Sequence, residues 1–212
     1  MTKFRRIVLL AATLAFSPLA FAAGKVESIG ALTEASVPET IRGALEPAGY
    51  RVTLADGSTV ELWLRKQAPS AKGDGIYNLA ESALVGVIHF SKAAQDYRGQ
   101  ALPAGYYNLR YELQPSDGDH LGTSPTRDFL LLVPPASDTD PEKAYKFEEL
   151  VALSRRIPGG RHPAPLNMPA ATGKTAPSVF DDEEGRTALV ARMKTSSGEV
   201  TFALVVQGSA PQ

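Results

Sequence analysis

Two stretches of this chain alternate apolar and polar residues with a period of two, and each is split by a tight-turn signal. In the first, Tyr50, Val52 and Leu54 alternate with Arg51 and Thr53. Beyond Asp56-Gly57, Val60, Leu62 and Leu64 alternate with Glu61, Trp63 and Arg65. Asp-Gly between two such runs predicts a β-hairpin, because Gly accepts the positive φ that a tight turn needs. In the second, Leu189, Ala191 and Met193 lead through Ser196-Ser197-Gly198 to Val200, Phe202, Leu204 and Val206. A chain bracketed by two hairpins is constrained towards antiparallel sheet.

The stretches between add more strands. A short strand is expected near Val26–Ile29, and the apolar run Leu84–Phe90 reads as a central strand. Pro103-Ala104-Gly105 turns into a long strand with Tyr107, Leu109, Tyr111 and Leu113 on one face. Asn108, Arg110 and Glu112 take the other face, which this pattern predicts to be solvated. Arg127 to Val133 forms a return strand. Trp63 falls on the polar parity of its strand. It is expected either to face a ligand or to pack against a second layer or a short helix. That helix is predicted from Pro38 to about Leu45, with Ser36 as N-cap. A longer amphipathic helix is predicted over 140–157, with Asp140 as N-cap, Pro141 in the first turn and a stripe of Ala144, Phe147, Leu150, Val151 and Ser154. The fold class is therefore mainly β: an antiparallel β-sandwich with one late amphipathic helix, the alternative being a distorted barrel plugged by that helix.

The N-terminus predicts export. Lys3, Arg5 and Arg6 precede an apolar run from Ile7 to Phe16, and Ala20-Phe21-Ala22 offers a small-x-small cleavage site. Residues 1–22 are read as a signal peptide cleaved after Ala22. Residues 23–212 are read as a single β-sandwich domain with a flexible C-terminal tail, periplasmic or secreted, and with no integral membrane segment. The chain has 22 basic and 23 acidic side chains. Without Lys3, Arg5 and Arg6, 19 basic residues remain and the net charge is −4. No basic stripe appears, so nucleic acid is set aside as a partner. The chain contains no cysteine, which excludes thiol nucleophiles and thiolate metal sites and leaves stability to packing.

Phe90-Ser91-Lys92, then Leu102, Pro103, Gly105, Tyr107 and Leu109, resemble a pattern in exported bacterial β-sandwich proteins of unknown function. Their shared element is Leu-Pro-x-Gly-x-Tyr-x-Leu, and the hairpin from Val190 to Val206 looks similar too. The motif also enters strands in transthyretin-like and immunoglobulin-like modules. The resemblance implies a sandwich and carries no reaction with it.

Chemistry-bearing motifs are sparse. There is no Gly-x-Ser-x-Gly, His-Glu-x-x-His or Walker loop, and no cofactor is implied. His89, His120 and His162 are far apart in sequence, and His89 reads as a core or edge histidine with a satisfied ring. The candidate site is the loop Asp117, Asp119 and His120, with Arg127 and Asp128 at the next strand. Two carboxylates around Gly118 can offer oxygens to a hard cation. The same residues also suit an Asx-type turn, with Arg127 paired to a nearby carboxylate. Asp181-Asp182-Glu183-Glu184 is either a divalent-ion site or a solvated turn. Tyr50, Tyr106, Tyr107, Tyr111 and Trp63 are candidates for an aromatic platform, although Tyr106 and Tyr107 must face opposite ways. Trp63 and Arg127 are the candidate ligand-binding residues. The expectation is a non-catalytic binding module whose partner is an envelope protein, a glycan or a small ligand. The alternative is a metal-dependent hydrolase using the Asp117–Arg127 loop.

Overall fold

The computed structural model describes residues 24–116, 124, 126–157 and 162–210; the expected signal segment lies outside them. The alternating runs become strands where they were expected. β1 (Lys25–Ile29), β2 (Gly49–Thr53), β3 (Thr59–Leu64) and β4 (Leu84–Phe90) pair in sequence order. After a small hairpin of β5 (Ala94–Gln95) and β6 (Ala101–Leu102), β7 (Gly105–Leu113), β8 (Asp128–Val133) and β9 (Pro165–Asn167) complete a seven-stranded antiparallel sheet. β10 (Ser178–Asp181), β11 (Thr187–Thr195) and β12 (Gly198–Gln207) form a second, three-stranded sheet.

Period-two burial makes these sheets into layers. Val52, Val60, Leu62, Ile88, Phe90, Tyr107, Leu109, Tyr111, Leu130 and Leu132 on the large sheet share one core with Leu189, Ala191, Met193, Phe202 and Leu204 on the small one. The sheets stay separate, with free ends, so the protein is a sandwich and not a barrel. The layers are also tied through backbone: Ala68 donates to Lys194 O (3.0 Å) and accepts from Ser196 N–H (2.9 Å).

The outer face of the large sheet departs from expectation. It is covered at two places instead of being solvated. Over its first strands, α1 (Glu39–Ala44) and the preceding loop bury Leu32, Val37, Ile41 and Leu45 against Trp63, Leu84 and Val87. Trp63 thus packs against the short helix, one of the two placements its parity allowed. Over β8, α2 (Phe147–Ser154) buries Leu150 and Val151 against Leu131 and Val133. Gly86 on β4 is required by this arrangement, since a Cβ there would lie 2.2 Å from the carbonyl oxygen of Trp63 on the neighbouring strand.

Asn108, Arg110 and Glu112 are accordingly buried. The segment after β8 closes over them because Arg110 demands partners. Its guanidinium pairs with Asp138, Nε to Oδ2 at 2.8 Å and Nη2 to Oδ1 at 2.6 Å, with both side chains 0% exposed. It also donates to the carbonyls of Ser82, Asp140 and Lys143 at 2.7–2.9 Å. Arg65 takes the carbonyl of Pro141 and pairs with Glu142. The carbonyls of Asp140, Pro141 and Lys143 are thereby aimed at guanidinium groups, not along a helix axis. For this reason the helix expected over 140–157 occupies only Phe147–Ser154, with Lys146 and not Asp140 at its N-cap. At α1 the N-cap is likewise Pro38, not Ser36, whose N–H instead donates to Glu34 Oε1 (3.0 Å). Ser82 adopts φ 66 with its carbonyl on Arg110 and its hydroxyl on Tyr145 N–H.

Arg110→Met leaves the Asp138 carboxylate buried without its cation, which costs about 3–5 kcal/mol. For a domain of this size the midpoint of thermal unfolding should fall by roughly 6 °C or more. A fall under about 2 °C would refute the pairing. Burial first, and then the Glu81 carboxylate, pushes the Glu112 carboxyl up to about 7. A raised carboxyl favours the protonated folded state. Its contribution is therefore full below the ordinary glutamate range and is lost as pH rises through about 7. Glu112→Gln should raise the unfolding midpoint at pH 8 and leave it nearly unchanged at pH 4.5; equal effects at both pH values would contradict this.

Candidate functional site

The first hairpin sets the geometry of a charged row on the outer face of the large sheet. Leu54 N–H donates to Ser58 O (2.8 Å) and Gly57 adopts φ 74, so the loop has three residues, Ala55-Asp56-Gly57, with Gly in the left-handed position. That register places Arg51 opposite Glu61. The next pairings continue the row: Glu61 opposite His89, and His89 opposite Tyr106. Four neighbouring strands each contribute one side chain to a single line.

These side chains hold one another. Arg51 Nε and Nη2 reach Glu61 Oε1 at 2.7 and 2.6 Å. His89 Nδ1 lies 3.0 Å from Glu61 Oε2. The His89 ring stacks on Tyr106 with centroids 4.1 Å apart and planes at 17°. Tyr106 stands 6.3 Å from the Trp63 ring. Burial, followed by the nearby Glu61 and Glu34 carboxylates, pushes the Tyr106 phenol above its usual range.

The loop after β1 closes the row into a cleft of about 220 Å³, lined by Gly30–Glu34 together with Arg51, Glu61, Trp63 and Tyr106. The loop is fastened on both sides. Trp63 Nε1 donates to Gly30 O (2.8 Å), and Arg42 Nη1 donates to Glu34 O (2.8 Å). Leu32 is buried against the indole. Glu34 stands at the lip, half-buried. Its carboxyl is held below the usual range by Ser36, through backbone N–H first and hydroxyl second, with His89 contributing less.

The residues singled out from sequence divide differently. Asp117, Asp119 and His120 lie outside the described residues. Arg127 donates to Gln114 O (2.9 Å) and pairs with Asp74 (3.2 Å), which is distant in sequence. Asp128 is buried and accepts from Tyr111 Oη (2.6 Å), Ile76 N–H and Tyr77 N–H. Gly75 is confined by the same group, since a Cβ there would fall 2.1 Å from Tyr111 Oη. Tyr107 and Tyr111 belong to the core. Asp182 and Glu184 clasp Arg186 across the turn before β11. Of the two candidate ligand residues, Trp63 lines the cleft and Arg127 does not. Among the described residues, no group of three His, Asp or Glu side chains is placed to hold a metal ion, and no helix is long and apolar enough to cross a membrane.

A second cavity of about 390 Å³ opens at the end of the sandwich, between Leu54, Phe90, Ala101 and Val206. Its rim charges are used locally: Asp56 accepts from Ser58, and Lys92 donates to Asp56 O (3.3 Å). It has no converging set of polar groups comparable to the Glu61 row.

Sequence reasoning named Tyr106 as a candidate for an aromatic platform, treated Arg51 and Glu61 only as polar strand positions, did not single out Glu34, and missed their convergence. A scan against protein-family models matches none, and searches of curated proteins and of solved structures return no match.

Gly49 controls the cleft wall. A Cβ at this position would meet the Trp63 ring at 2.7 Å. Gly49→Ala should displace the indole and break its bond to Gly30, costing about 1–3 kcal/mol. Trp63 is the only tryptophan, so its emission reports the change directly. The expected outcome is a red-shifted spectrum with a lower unfolding midpoint. An unchanged spectrum would show that the wall does not depend on this glycine.

Proposed function

We propose that this protein is an exported, non-catalytic binding module of the bacterial periplasm, and that its ligand occupies the cleft of Arg51, Glu61, Trp63 and Tyr106. The N-terminal export pattern supports the location. The interlocked row Arg51–Glu61–His89–Tyr106 supports the activity. Both Glu61 oxygens are engaged, one by Arg51 and the other by His89. A carboxylate held in this way suits fixed orientation better than proton transfer, which needs a group free to exchange its proton with substrate.

The cleft has the ingredients of a small-ligand site: oriented polar groups, one partly exposed ring at Tyr106 and a loop already fastened before a ligand arrives. Fastening matters, because a site ordered in advance loses less entropy on binding. The volume suits a small polar molecule or one unit of a glycan.

The test is a thermal-shift screen of the protein against saccharides and small polar metabolites, repeated on Tyr106→Ala and Arg51→Ala. A ligand at about 100 times its dissociation constant adds about 2.7 kcal/mol, a rise of several degrees. The expected outcome is a rise with at least one compound that both variants abolish while remaining folded. A rise that survives both substitutions would place binding elsewhere. No rise with any compound would remove the support for a small-ligand module.

A further inference from the structure

The balance of charge in the cleft carries the reading further, to the class of ligand. Arg51 and Glu61 neutralise each other through two short contacts to one carboxylate oxygen. Beyond them, Glu27 on β1 pairs with Lys25 at 2.8 Å, so that pair adds no net charge either. Glu34 remains. One of its oxygens accepts the Ser36 N–H, and no lysine or arginine side chain pairs with it among the described residues. The carboxylate therefore joins the lining without a Lys or Arg ion pair, with the Arg42 guanidinium held at its backbone carbonyl, and stands in the same cleft as Tyr106, behind which Trp63 is buried at 4% exposure.

A carboxylate next to aromatic surface is the combination that favours an organic cation. The ring quadrupoles attract positive charge, and the carboxylate supplies a partner for an N–H donor. An anion meets the opposite situation: Arg51 is already committed to Glu61, and Glu34 repels. We propose that the cleft takes a small organic ammonium ion, such as an amino sugar, with its nitrogen at Glu34 and its body against Tyr106. This rests on the cleft being the ligand site.

Glucosamine and N-acetylglucosamine separate the two ideas, because they share a ring and differ in the charge on nitrogen. Each is titrated into the protein at neutral pH, with Trp63 fluorescence and calorimetry as readouts, and tetramethylammonium serves as a cation without a sugar. The same titrations are run on Glu34→Gln, which keeps an oxygen able to accept the Ser36 N–H, and on Tyr106→Ala. The expected result is roughly tenfold tighter binding of glucosamine than of its acetylated form. That preference should disappear in Glu34→Gln, and binding of both should weaken in Tyr106→Ala. Equal or tighter binding of N-acetylglucosamine, unaffected by Glu34→Gln, would overturn the ammonium assignment and leave the binding module standing. If neither glucosamine nor tetramethylammonium binds, the assignment also fails, while the wider screen decides the module independently.

Discussion

Arg110 cannot be left unpaired inside the protein, and much of the outer layer is arranged to meet that requirement. A guanidinium with no exposed surface needs a counter-charge and several acceptors, because desolvation of an isolated ion costs many kcal/mol. Asp138 supplies the charge, and the carbonyls of Ser82, Asp140 and Lys143 supply the remaining acceptors. Tyr145 completes the enclosure, its hydroxyl on Asp138 and its ring 5.2 Å from the guanidinium. The chain after β8 is thereby drawn back across the sheet, which brings α2 onto Leu131 and Val133. A pair of this kind adds little net stability over a well-packed apolar substitute. What it decides here is which segment covers which strands.

At the other end of the same face, the cover is α1 and the loop before it, organised around Trp63. On the same face the row from Arg51 to Tyr106 stays partly open at Arg51, His89 and Tyr106, while Glu61 within it is buried. The same sheet thus has a buried polar centre that organises structure and a half-open polar row that can receive a ligand. Their chemistry differs accordingly. Arg110 spends all its donors on the protein, whereas the Glu34 carboxylate at the cleft lip keeps capacity for something else.

Part of this was legible in the residues themselves. The apolar positions of both arms of the first hairpin carry even numbers: 50, 52 and 54 facing 60, 62 and 64. Direct opposition of such residues requires a loop with an odd number of residues, which is the three-residue loop observed. The Arg51–Glu61 pairing follows from that register and could have been found from it. Closing the chain, the apolar positions are odd on one arm and even on the other, and the loop there has two residues, with Thr195 opposite Gly198. The pairing of His89 with Glu61 was less accessible, because β4 is apolar on both faces and its register to β3 leaves no mark in the alternation. The helix over 140–157 was overextended for a different reason. Its residues have helical spacing, but the acceptors of 140–143 were claimed by arginines from elsewhere.

Local pattern alone determined the longer strands, the two hairpins, the fold class and the inward face of the alternating strands, because period-two burial and turn geometry act between residues close in the chain; the short β5, β6, β9 and β10 carry no such alternation. Tertiary structure decided what lies on the far side of the large sheet. Whether Arg110 faces water or Asp138, whether Trp63 is a platform or a wall, and whether Glu34 approaches Tyr106 all depend on segments folding back over the sheet. Those contacts are set by the packing and pairing needs of partners distant in sequence, which no local periodicity records.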